Sequence, residues 1–237
     1  MSPNEEALRK VVEEFVAEVL QLLSGLKQEQ QPTNEIVVTA PKDDDWLKPF
    51  FDHIRPSVLY KRLTASQVNG HKDIVAALKK HNVPLSHAAY VLATAYHETA
   101  HKMQPVREGL NASDAWRKRN LRYYPWYGRG HVQLTWKENY VKADQKLGLG
   151  GALVANADLA LDPEISAEVL VVGSVEGWFS ADRNGNRHTL ARHLPVTSEA
   201  TRAQFKQARR IINLMDRADQ IAGYALVYQE ALKKAGY

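Results

Sequence analysis

The segment His97-Glu98-Thr99-Ala100-His101 constrains the fold most strongly, because it fits two chemistries that belong to different protein architectures. As H-E-x-x-H on a helix, His97 and His101 would lie one turn apart and hold zinc, while Glu98 activates the metal-bound water. Alternatively, Glu98 is a carboxylic acid at the end of a buried helix and acts as the general acid of a glycoside hydrolase. The rest of the sequence must distinguish a peptidase from an enzyme that cleaves sugars.

Length and composition predict a globular protein. With 44% apolar and 24% charged residues, 237 residues are enough for one well-cored domain and an appendage. The absence of cysteine excludes a disulfide framework and a thiolate metal site. We expect no signal peptide, because the N-terminus has no basic region followed by an apolar core. We expect no membrane-spanning helix, because no apolar run approaches the ~18 residues that one needs.

The net charge of +4 conceals an asymmetry along the chain. Residues 1–45 carry ten acidic and four basic side chains, whereas residues 46–237 carry 17 and 27. Such a basic region favours a polyanionic partner, such as nucleic acid, an anionic envelope or the carboxylate-bearing wall of a bacterium. Its basic residues form no nucleic-acid-binding motif, so nucleic acid is not predicted as a partner. A basic surface without a partner is the remaining alternative.

Three regions organise the chain. We predict an amphipathic helix within residues 1–26, a polar linker at 27–45 and the main domain at 46–237. Apolar residues of the first region are spaced by four and three, as in a short coiled coil: Leu8, Val12, Phe15, Val19, Leu22 and Leu26. This spacing predicts self-association, or docking to a phage protein, through residues 5–26. A helix packed on its own domain is the alternative.

Helical spacing dominates the main domain, and strand-like alternation is scarce. We predict helices over residues 46–59, 64–80, 86–101, 136–147, 162–179 and 201–234, the last broken near 213–219. Between residues 104 and 130, prolines, glycines and aromatic residues predict a hairpin with loops. The predicted fold class is therefore mainly α, with one small β element.

Local signals mark several helix ends. The N-terminal signals are Thr64 or Ser66, the S/T-x-x-E capping box formed by Thr135 and Glu138, and Asp162 followed by Pro163. Gly148 is expected to end the helix that the capping box opens.

A longer motif carries a family resemblance. The run from Tyr127 to Tyr140, YGRGHVQLTWKENY, resembles the Y-G-R-G-x-x-Q-L-[ST]-x-x-x-N-Y signature of glycoside hydrolase family 19. That family comprises plant-type chitinases and many phage endolysins. Residues 97–99 match its H-E-T motif, residues 210–213 resemble its R-x-I-N segment, and the similarity covers residues 46–237. The resemblance implies a lysozyme-like α+β fold, in which a helix ends at the acid and a hairpin forms one wall of the cleft.

The resemblance implies a pair of catalytic carboxylates. Inverting hydrolysis needs one protonated carboxyl and one carboxylate roughly 6.5 to 9.5 Å apart. Glu98 matches the general acid, and its helix face, shared with Val91 and Ala95, predicts a partly apolar setting. Glu108, ten residues on, is the predicted second carboxylate, and Asp114 is its competitor.

Further residues are assigned by the same resemblance. Thr135 would hold the nucleophilic water, Gln133 and Asn139 would line the sugar subsites, and Asn213 would close the cleft. The alternatives are an N-cap for Thr135 and solvated polar side chains for the two amides.

Four aromatic or basic residues near the motifs have open roles. Tyr127 and Trp126 are predicted either to stack on sugars or to pack in the core. His97 is predicted to orient a carboxylate of the cleft, and Arg129 to brace the hairpin.

The zinc interpretation lacks sequence support beyond the five residues. In the extended H-E-x-x-H-x-x-G-x-x-H pattern, Gln104 stands in place of the glycine and Arg107 in place of the third histidine. Glu138 could be a third ligand, but the capping box already explains it. We therefore predict neither a metal nor another cofactor, and expect His101 near the surface. A glycan-binding module without activity is disfavoured because both candidate carboxylates are present.

The sequence thus predicts a peptidoglycan-degrading glycosidase of the endolysin type. It would act as a muramidase on the β-1,4 bond between N-acetylmuramic acid and N-acetylglucosamine, with peptidoglycan glycan strands as its partner. Chitin is the alternative substrate. The basic domain, the close spacing of Glu98 and Glu108, and the lack of a cysteine-rich chitin-binding module favour the wall. We expect such a protein in the host cytoplasm until it is released to the wall, or else carried in the virion.

Overall fold

The computed structural model describes residues 46–57, 59–60 and 62–237. The predicted N-terminal helix and the linker lie outside the described residues, so the domain boundaries stay predictions.

Helices form most of the described chain. They are α1 Leu47–Ile54, α2 Ala65–Lys80, α3 Leu85–Glu98, α4 Asp114–Asn120, α5 Lys137–Leu147, α6 Ala152–Ala155, α7 Pro163–Glu176, α8 Leu190–His193, α9 Arg202–Ala208, α10 Arg210–Asn213 and α11 Ala218–Lys234. A 3₁₀ helix spans Ala157–Leu161. Within the described residues, none of the helices is long and apolar enough to cross a membrane.

Helix α3 is the centre of the core. Eleven of its fourteen residues are buried, because its sequence is apolar or small on every side, as in a helix surrounded by protein. It packs mainly against α11, where Ala222 and Ala225 are also buried. Small side chains let the two backbones approach closely. This packing fixes the end of α3, and Glu98 is its last residue.

Several predicted helix ends are confirmed. Thr64, rather than Ser66, caps α2 in a capping box with Gln67. Asp162 caps α7 by accepting bonds from the backbone N–H groups of the first turn, with Pro163 at the first helical position. Gly148 ends α5 in the left-handed conformation. The predicted break in the last helical region lies between α10 and α11.

Other boundaries differ from the prediction. Helix α1 stops at Ile54 rather than near residue 59, because Pro56 has no N–H group to continue the helical hydrogen bonds. Helix α7 stops at Glu176 rather than at Phe179, because Gly177 adopts the left-handed region with φ of 69°. Helix α4 was not predicted; Ser113 caps it by accepting from the backbone N–H of Trp116.

The predicted hairpin is confirmed as an antiparallel pair of two-residue strands. Strand β1 is Val106–Arg107 and strand β2 is Arg129–Gly130, with Val106 opposite Gly130 and Arg107 opposite Arg129. The fold is therefore mainly α with one small antiparallel sheet, as the sequence predicted.

Gly130 is required at its position in β2. Its φ is +84°, and an added Cβ would lie 2.7 Å from Ser166 Oγ and 2.8 Å from the Ala160 carbonyl oxygen. We expect Gly130→Ala to lower the free energy of unfolding by about 3 kcal/mol, from backbone strain and overpacking together. Gly150→Ala is the control, because Gly150 also has positive φ but has no atom within 4 Å of an added Cβ. Urea unfolding measures both variants. Equal losses of unfolding free energy in Gly130→Ala and Gly150→Ala would show that the close contact at Gly130 contributes nothing.

Candidate active site

Glu98 lies at the C-terminal end of α3 against a buried cation. Its Oε1 is 2.9 Å from Arg209 Nη2, and the side chains of Glu98 and Arg209 are 16% and 0% exposed. The angles of this ion pair are not those of a hydrogen bond, and Oε1 is inaccessible to solvent. The exposed part of the side chain is therefore on the Oε2 side, where an outside molecule can reach it.

Polar groups surround this ion pair beneath the surface. Tyr90 Oη, Thr94 Oγ1 and both terminal nitrogens of Arg209 are buried without a hydrogen-bond partner in the described part of the chain. Arg209 Nε donates to the Asp216 carbonyl at 2.9 Å. The predicted partly apolar setting of Glu98 is therefore incomplete: the same helix face that carries Val91 and Ala95 also brings a buried guanidinium to the carboxylate.

Sequence reasoning missed Arg209. The resemblance pointed to residues 210–213, and the adjacent residue is the one whose side chain turns inward. A buried arginine needs a carboxylate or several carbonyl partners, but its partner lies 111 positions earlier in the chain, so sequence spacing could not identify it.

We expect Arg209→Leu to lower the free energy of unfolding by about 3 kcal/mol, because it leaves the partly buried Glu98 without its counter-charge. Urea unfolding at neutral pH measures the loss. Arg210→Leu is the matched control, because Arg210 is less buried and its Nε bonds only the neutral Gln207. In a double-mutant cycle, Arg209→Leu should cost much less in a Glu98→Gln background. Additive losses would contradict an energetic coupling between the two.

Glu108 immediately follows β1 and is held by neutral donors. Its Oε1 accepts from Tyr123 Oη at 2.6 Å, and its Oε2 accepts from the Gly128 N–H at 2.9 Å. The first of these bonds raises the pKa of Tyr123 to about 12. Both carboxylate oxygens of Glu108 are thus oriented by donors that carry no charge.

The loop that carries Glu108 is itself fixed. Arg117 on α4 donates from Nε to the Glu108 carbonyl at 2.9 Å and from Nη2 to the Gly109 carbonyl at 3.0 Å. A side chain at Gly128 would approach Glu108 Oε2 to 3.3 Å and Gln133 Oε1 to 2.9 Å. The backbone of Gly128 can therefore reach the carboxylate only because this residue is glycine.

Asp114, the competing second carboxylate, lies in a more open position. It is exposed at the first turn of α4 and accepts from Tyr124 Oη at 2.9 Å. Glu108 is half-buried and has two donors. The choice between them stays a prediction.

The signature segment forms the turn after β2. Gln133 Nε2 donates to the carbonyls of Val106 and Gly130, so its amide ties the two strands together. Thr135 Oγ1 donates to the Gln133 carbonyl at 2.7 Å, and Asn139 Nδ2 donates to the Thr135 carbonyl at 2.8 Å. The roles of these three residues toward water and sugar stay predictions.

The capping box predicted at Thr135 is wrong. Helix α5 begins at Lys137, its N-cap is Trp136 with φ of 73°, and no side chain caps it. The Thr135 hydroxyl instead donates to the Gln133 carbonyl in the preceding turn and accepts no bond from the first turn of the helix.

The predicted sugar-stacking role of Tyr127 is wrong, and its alternative, core packing, is observed. Tyr127 is 1% exposed, with the guanidinium of Arg129 3.6 Å and that of Arg117 5.3 Å from its ring centroid. A ring this deeply buried has no face for a sugar. Trp126 is half-buried and packs against Tyr140, so its contact with substrate stays a prediction.

Arg129 braces the hairpin, as predicted. Its Nε lies 2.8 Å from Asp158 Oδ1, and its Nη1 donates to the carbonyls of Pro125 and Tyr127. Arg107 binds the same Asp158 carboxylate through both terminal nitrogens at 2.6 and 2.8 Å. These bonds, chiefly that from Arg107, lower the pKa of Asp158, and they hold both strands to the 3₁₀ helix.

The two histidines do not share a helical face. Helix α3 ends at Glu98, and Ala100 and His101 have φ of 49° and 68°. The exposed His101 stacks on Tyr96, with ring centroids 4.2 Å apart. Across residues 46–57, 59–60 and 62–237, no three His, Cys, Asp or Glu side chains lie close enough to hold a metal. This geometry gives the zinc interpretation no support.

Two further predicted site residues remain untested. His97 is half-buried next to Glu98, and burial lowers its pKa while the charge of Glu98 opposes that change. Within the described residues it makes no hydrogen bond to a carboxylate. Asn213 is the exposed last residue of α10. It follows Arg209 by one helical turn, and its backbone N–H donates to the Arg209 carbonyl. Their roles in orienting a carboxylate and closing a cleft stay predictions.

In sequence, known proteins are similar to part of this chain. No protein-family profile matches the chain. An acidic 26 kDa endochitinase of Solanum lycopersicum is 41% identical over 63 residues, which are 26% of this chain and 22% of that protein. The acidic endochitinase pcht28 of Solanum chilense is 43% identical over 60 residues, 25% of this chain and 22% of that protein. The chain thus matches about a fifth of the length of these curated relatives.

Among solved structures, chitinase C from Streptomyces griseus HUT6037 aligns with a TM-score of 0.47 at 19% sequence identity, covering 88% of this chain and 85% of that one. Over about a quarter of its length this chain is similar in sequence to plant endochitinases, which confirms the resemblance to the family 19 glycoside hydrolases that its motifs predicted.

Proposed function

We propose that the protein is a glycoside hydrolase that cleaves β-1,4 bonds between N-acetylated sugars by two-carboxylate acid/base catalysis. One observation carries the proposal: two partly buried glutamates are each fixed by protein groups, one by a buried cation and the other by two neutral donors. The sequence shared with endochitinases supports the same chemistry.

Glu98 serves as the general acid in this proposal. Arg209 occupies the inaccessible Oε1, so the proton that passes to the leaving glycosidic oxygen is on Oε2. The buried α3 keeps this oxygen in place while the bond breaks. The bond between the anomeric carbon and the glycosidic oxygen is cleaved, and the leaving sugar takes the proton from Glu98.

Glu108 serves as the general base. With donors on both oxygens, its carboxylate is held in a fixed orientation and retains lone pairs for a water molecule. It accepts a proton from that water as the oxygen attacks the anomeric carbon. Thr135 Oγ1 already donates to a carbonyl, so it can hold the water only by accepting a hydrogen bond from it.

Peptidoglycan is the substrate that we infer, and cleavage on the reducing side of N-acetylmuramic acid is the inferred reaction. The excess of basic residues in 46–237 supports an anionic polymer. The endochitinase similarity favours chitin as the second candidate. The proposal places the protein in the host cytoplasm or the virion before it meets the wall, with residues 5–26 as its contact for self-association or docking.

Mass spectrometry of products from purified sacculi and from chitin oligosaccharides tests the proposal. Release of muropeptides with N-acetylmuramic acid at the reducing end is the expected result. Reducing-end N-acetylglucosamine from sacculi would reject a muramidase, cleavage of chitin alone would favour the second candidate, and release of peptides without new reducing ends would reject a glycosidase.

A further inference from the structure

A cavity of about 610 Å³ lies between the loop that follows α7 and helix α10. Its titratable lining side chains are Asp182, Arg183, His188, Arg192, His193 and Arg210. None of these residues belongs to the acid/base machinery proposed above. We call this cavity the basic pocket.

Among the described residues, Asp182 is the one carboxylate that lines the basic pocket, and its charge is already neutralised. Asp182 Oδ2 lies 2.7 Å from Arg192 Nη2, and its Oδ1 accepts from the backbone N–H groups of Asn184 and Asn186. These bonds, chiefly that from Arg192, hold the pKa of Asp182 well below its usual range. Asp182 and Arg192 are therefore a compensated pair that shapes the loop.

Two guanidinium groups of the pocket have no counter-charge. Arg210 donates from Nε to the neutral Gln207 Oε1 at 3.0 Å, and Arg183 is exposed. Neither forms an ion pair within the described part of the chain. The pocket therefore carries an excess of about two positive charges on guanidinium groups.

The histidine pair adds an uncharged donor. His188 Nδ1 and His193 Nε2 are 2.9 Å apart, and the rings are stacked with centroids separated by 5.0 Å. Burial, with a contribution from Arg192, lowers the pKa of both and brings that of His193 to about 4. Because one ring donates to the other, either tautomer leaves one N–H free on the pair.

The basic pocket adjoins the ion pair of the candidate acid. Arg209 and Arg210 are consecutive: Arg209 turns inward to Glu98, while Arg210 lines the pocket. Ser180 Oγ donates to the Arg210 carbonyl, which ties the loop carrying Asp182 to α10. Arg210, where a group would bind, is therefore the neighbour in the chain of the arginine that pairs with Glu98.

We propose that the basic pocket binds a carboxylate of the peptide-bearing substituent on N-acetylmuramic acid, and that it thereby gives the enzyme preference for bacterial wall over chitin. This inference rests on the proposed glycosidase activity. Guanidinium groups bind carboxylates through paired, charge-assisted hydrogen bonds. Chitin has no carboxylate, whereas the wall polymer carries carboxylates beside every second sugar. Two arginines without a counter-charge and a free histidine N–H can therefore bind a carboxylate of the wall polymer. Chitin offers these groups no anion.

The test compares the double variant Arg183→Gln/Arg210→Gln with the double variant Arg202→Gln/Lys206→Gln. The control pair is on α9, where both cations contact Asp219. Each double variant loses two positive charges, so the net charge changes equally. The substrates are soluble peptide-bearing glycan strands, the same strands after an amidase has removed the peptides and left the lactyl carboxylate, and chitin oligosaccharides. The readout is the ratio of kcat/KM on each wall substrate to that on chitin.

We expect the ratio for peptide-bearing strands to fall about tenfold in the pocket variant and to stay unchanged in the control, since charged hydrogen bonds are lost only from the pocket. A fall that disappears after amidase treatment assigns the peptide carboxylate. A fall on both wall substrates shows that the pocket accepts either a peptide carboxylate or the lactyl carboxylate that the amidase exposes. An unchanged ratio on both, or an equal fall in the control, overturns the proposal.

A single charge reversal guards against misfolding. Arg183 is exposed and makes no hydrogen bond or ion pair among the described residues, so Arg183→Glu should keep its circular dichroism spectrum and Tm. It should lower the wall-to-chitin ratio at least as much as the double variant. A folded Arg183→Glu protein with the original ratio would also overturn the proposal.

Failure of the proposed function gives a separate result. If the unaltered protein cleaves no glycan, calorimetry can compare its binding of soluble muropeptide and of chitin oligosaccharide. Preference for muropeptide that Arg183→Glu removes supports the basic pocket without the activity. Equal binding, or none, rejects both.

Discussion

Replacing Glu98 with Gln is expected to lower the rate of glycan cleavage by ~10² to 10⁴, because the amide cannot donate the proton that the leaving oxygen needs. Gln is nearly isosteric, so the end of α3 should keep its shape. The loss should appear mainly in kcat, since a general acid acts in the transition state. Rates on the polymer whose products identify the reaction measure this effect.

Glu138→Gln is the matched control, because it makes the same chemical change at an exposed glutamate in the first turn of α5. It should leave the rate within about twofold. Glu98→Gln also removes the counter-charge of Arg209, so thermal unfolding must show that the variant is folded at the assay temperature. Near-normal cleavage by folded Glu98→Gln would reject the mechanism. A metallopeptidase would instead be favoured by two results together. Glu138→Gln would lose activity, and the unaltered protein would lose activity on chelation and recover it only when zinc is added.

The elements that sequence predicted well have local causes. A cap such as Asp162 or a left-handed glycine such as Gly148 acts within one turn of the helix that it ends. The apolar surface of α3 likewise reflects its own sequence and predicted a buried helix ending close to Glu98. The prediction worked where the determining contacts lie within a few residues of each other.

Two of the missed features depend on contacts between distant residues, and the third on a local turn. Arg209 meets Glu98 only because α10 docks beside the end of α3, and no spacing in the sequence encodes that. Thr135 has the residues of a capping box, but the turn after β2 engages its hydroxyl first. The sequence predicted Tyr127 as a sugar contact, but Arg129, which is held by Asp158, covers its ring. For Arg209 and Tyr127 the deciding contacts join residues far apart in the chain, whereas for Thr135 a local bond to Gln133 replaced the predicted cap.

Glu108→Gln is expected to reduce cleavage by a similar ~10² to 10⁴, because the variant cannot accept a proton from the attacking water. Two donors, Tyr123 Oη and the Gly128 N–H, face the two oxygens of Glu108. An amide would turn its NH₂ group toward one of them, so we also expect a loss of about 1 to 3 kcal/mol in unfolding free energy. Rates should therefore be measured well below the lowered Tm.

Tyr123→Phe separates the structural effect from the chemical one, because it removes one donor and leaves the Glu108 carboxylate. We expect it to lose about tenfold in kcat, far less than Glu108→Gln. Asp114→Asn changes an exposed carboxylate that is bound only to Tyr124, and it should stay within about threefold of the unaltered rate. Glu108→Ala removes the base entirely. Added azide should restore part of its activity, because azide attacks the anomeric carbon without needing deprotonation. If Asp114→Asn loses far more activity than Glu108→Gln, and azide rescues only a variant at Asp114, then the base is on α4 and the donors around Glu108 serve only to hold the hairpin loop.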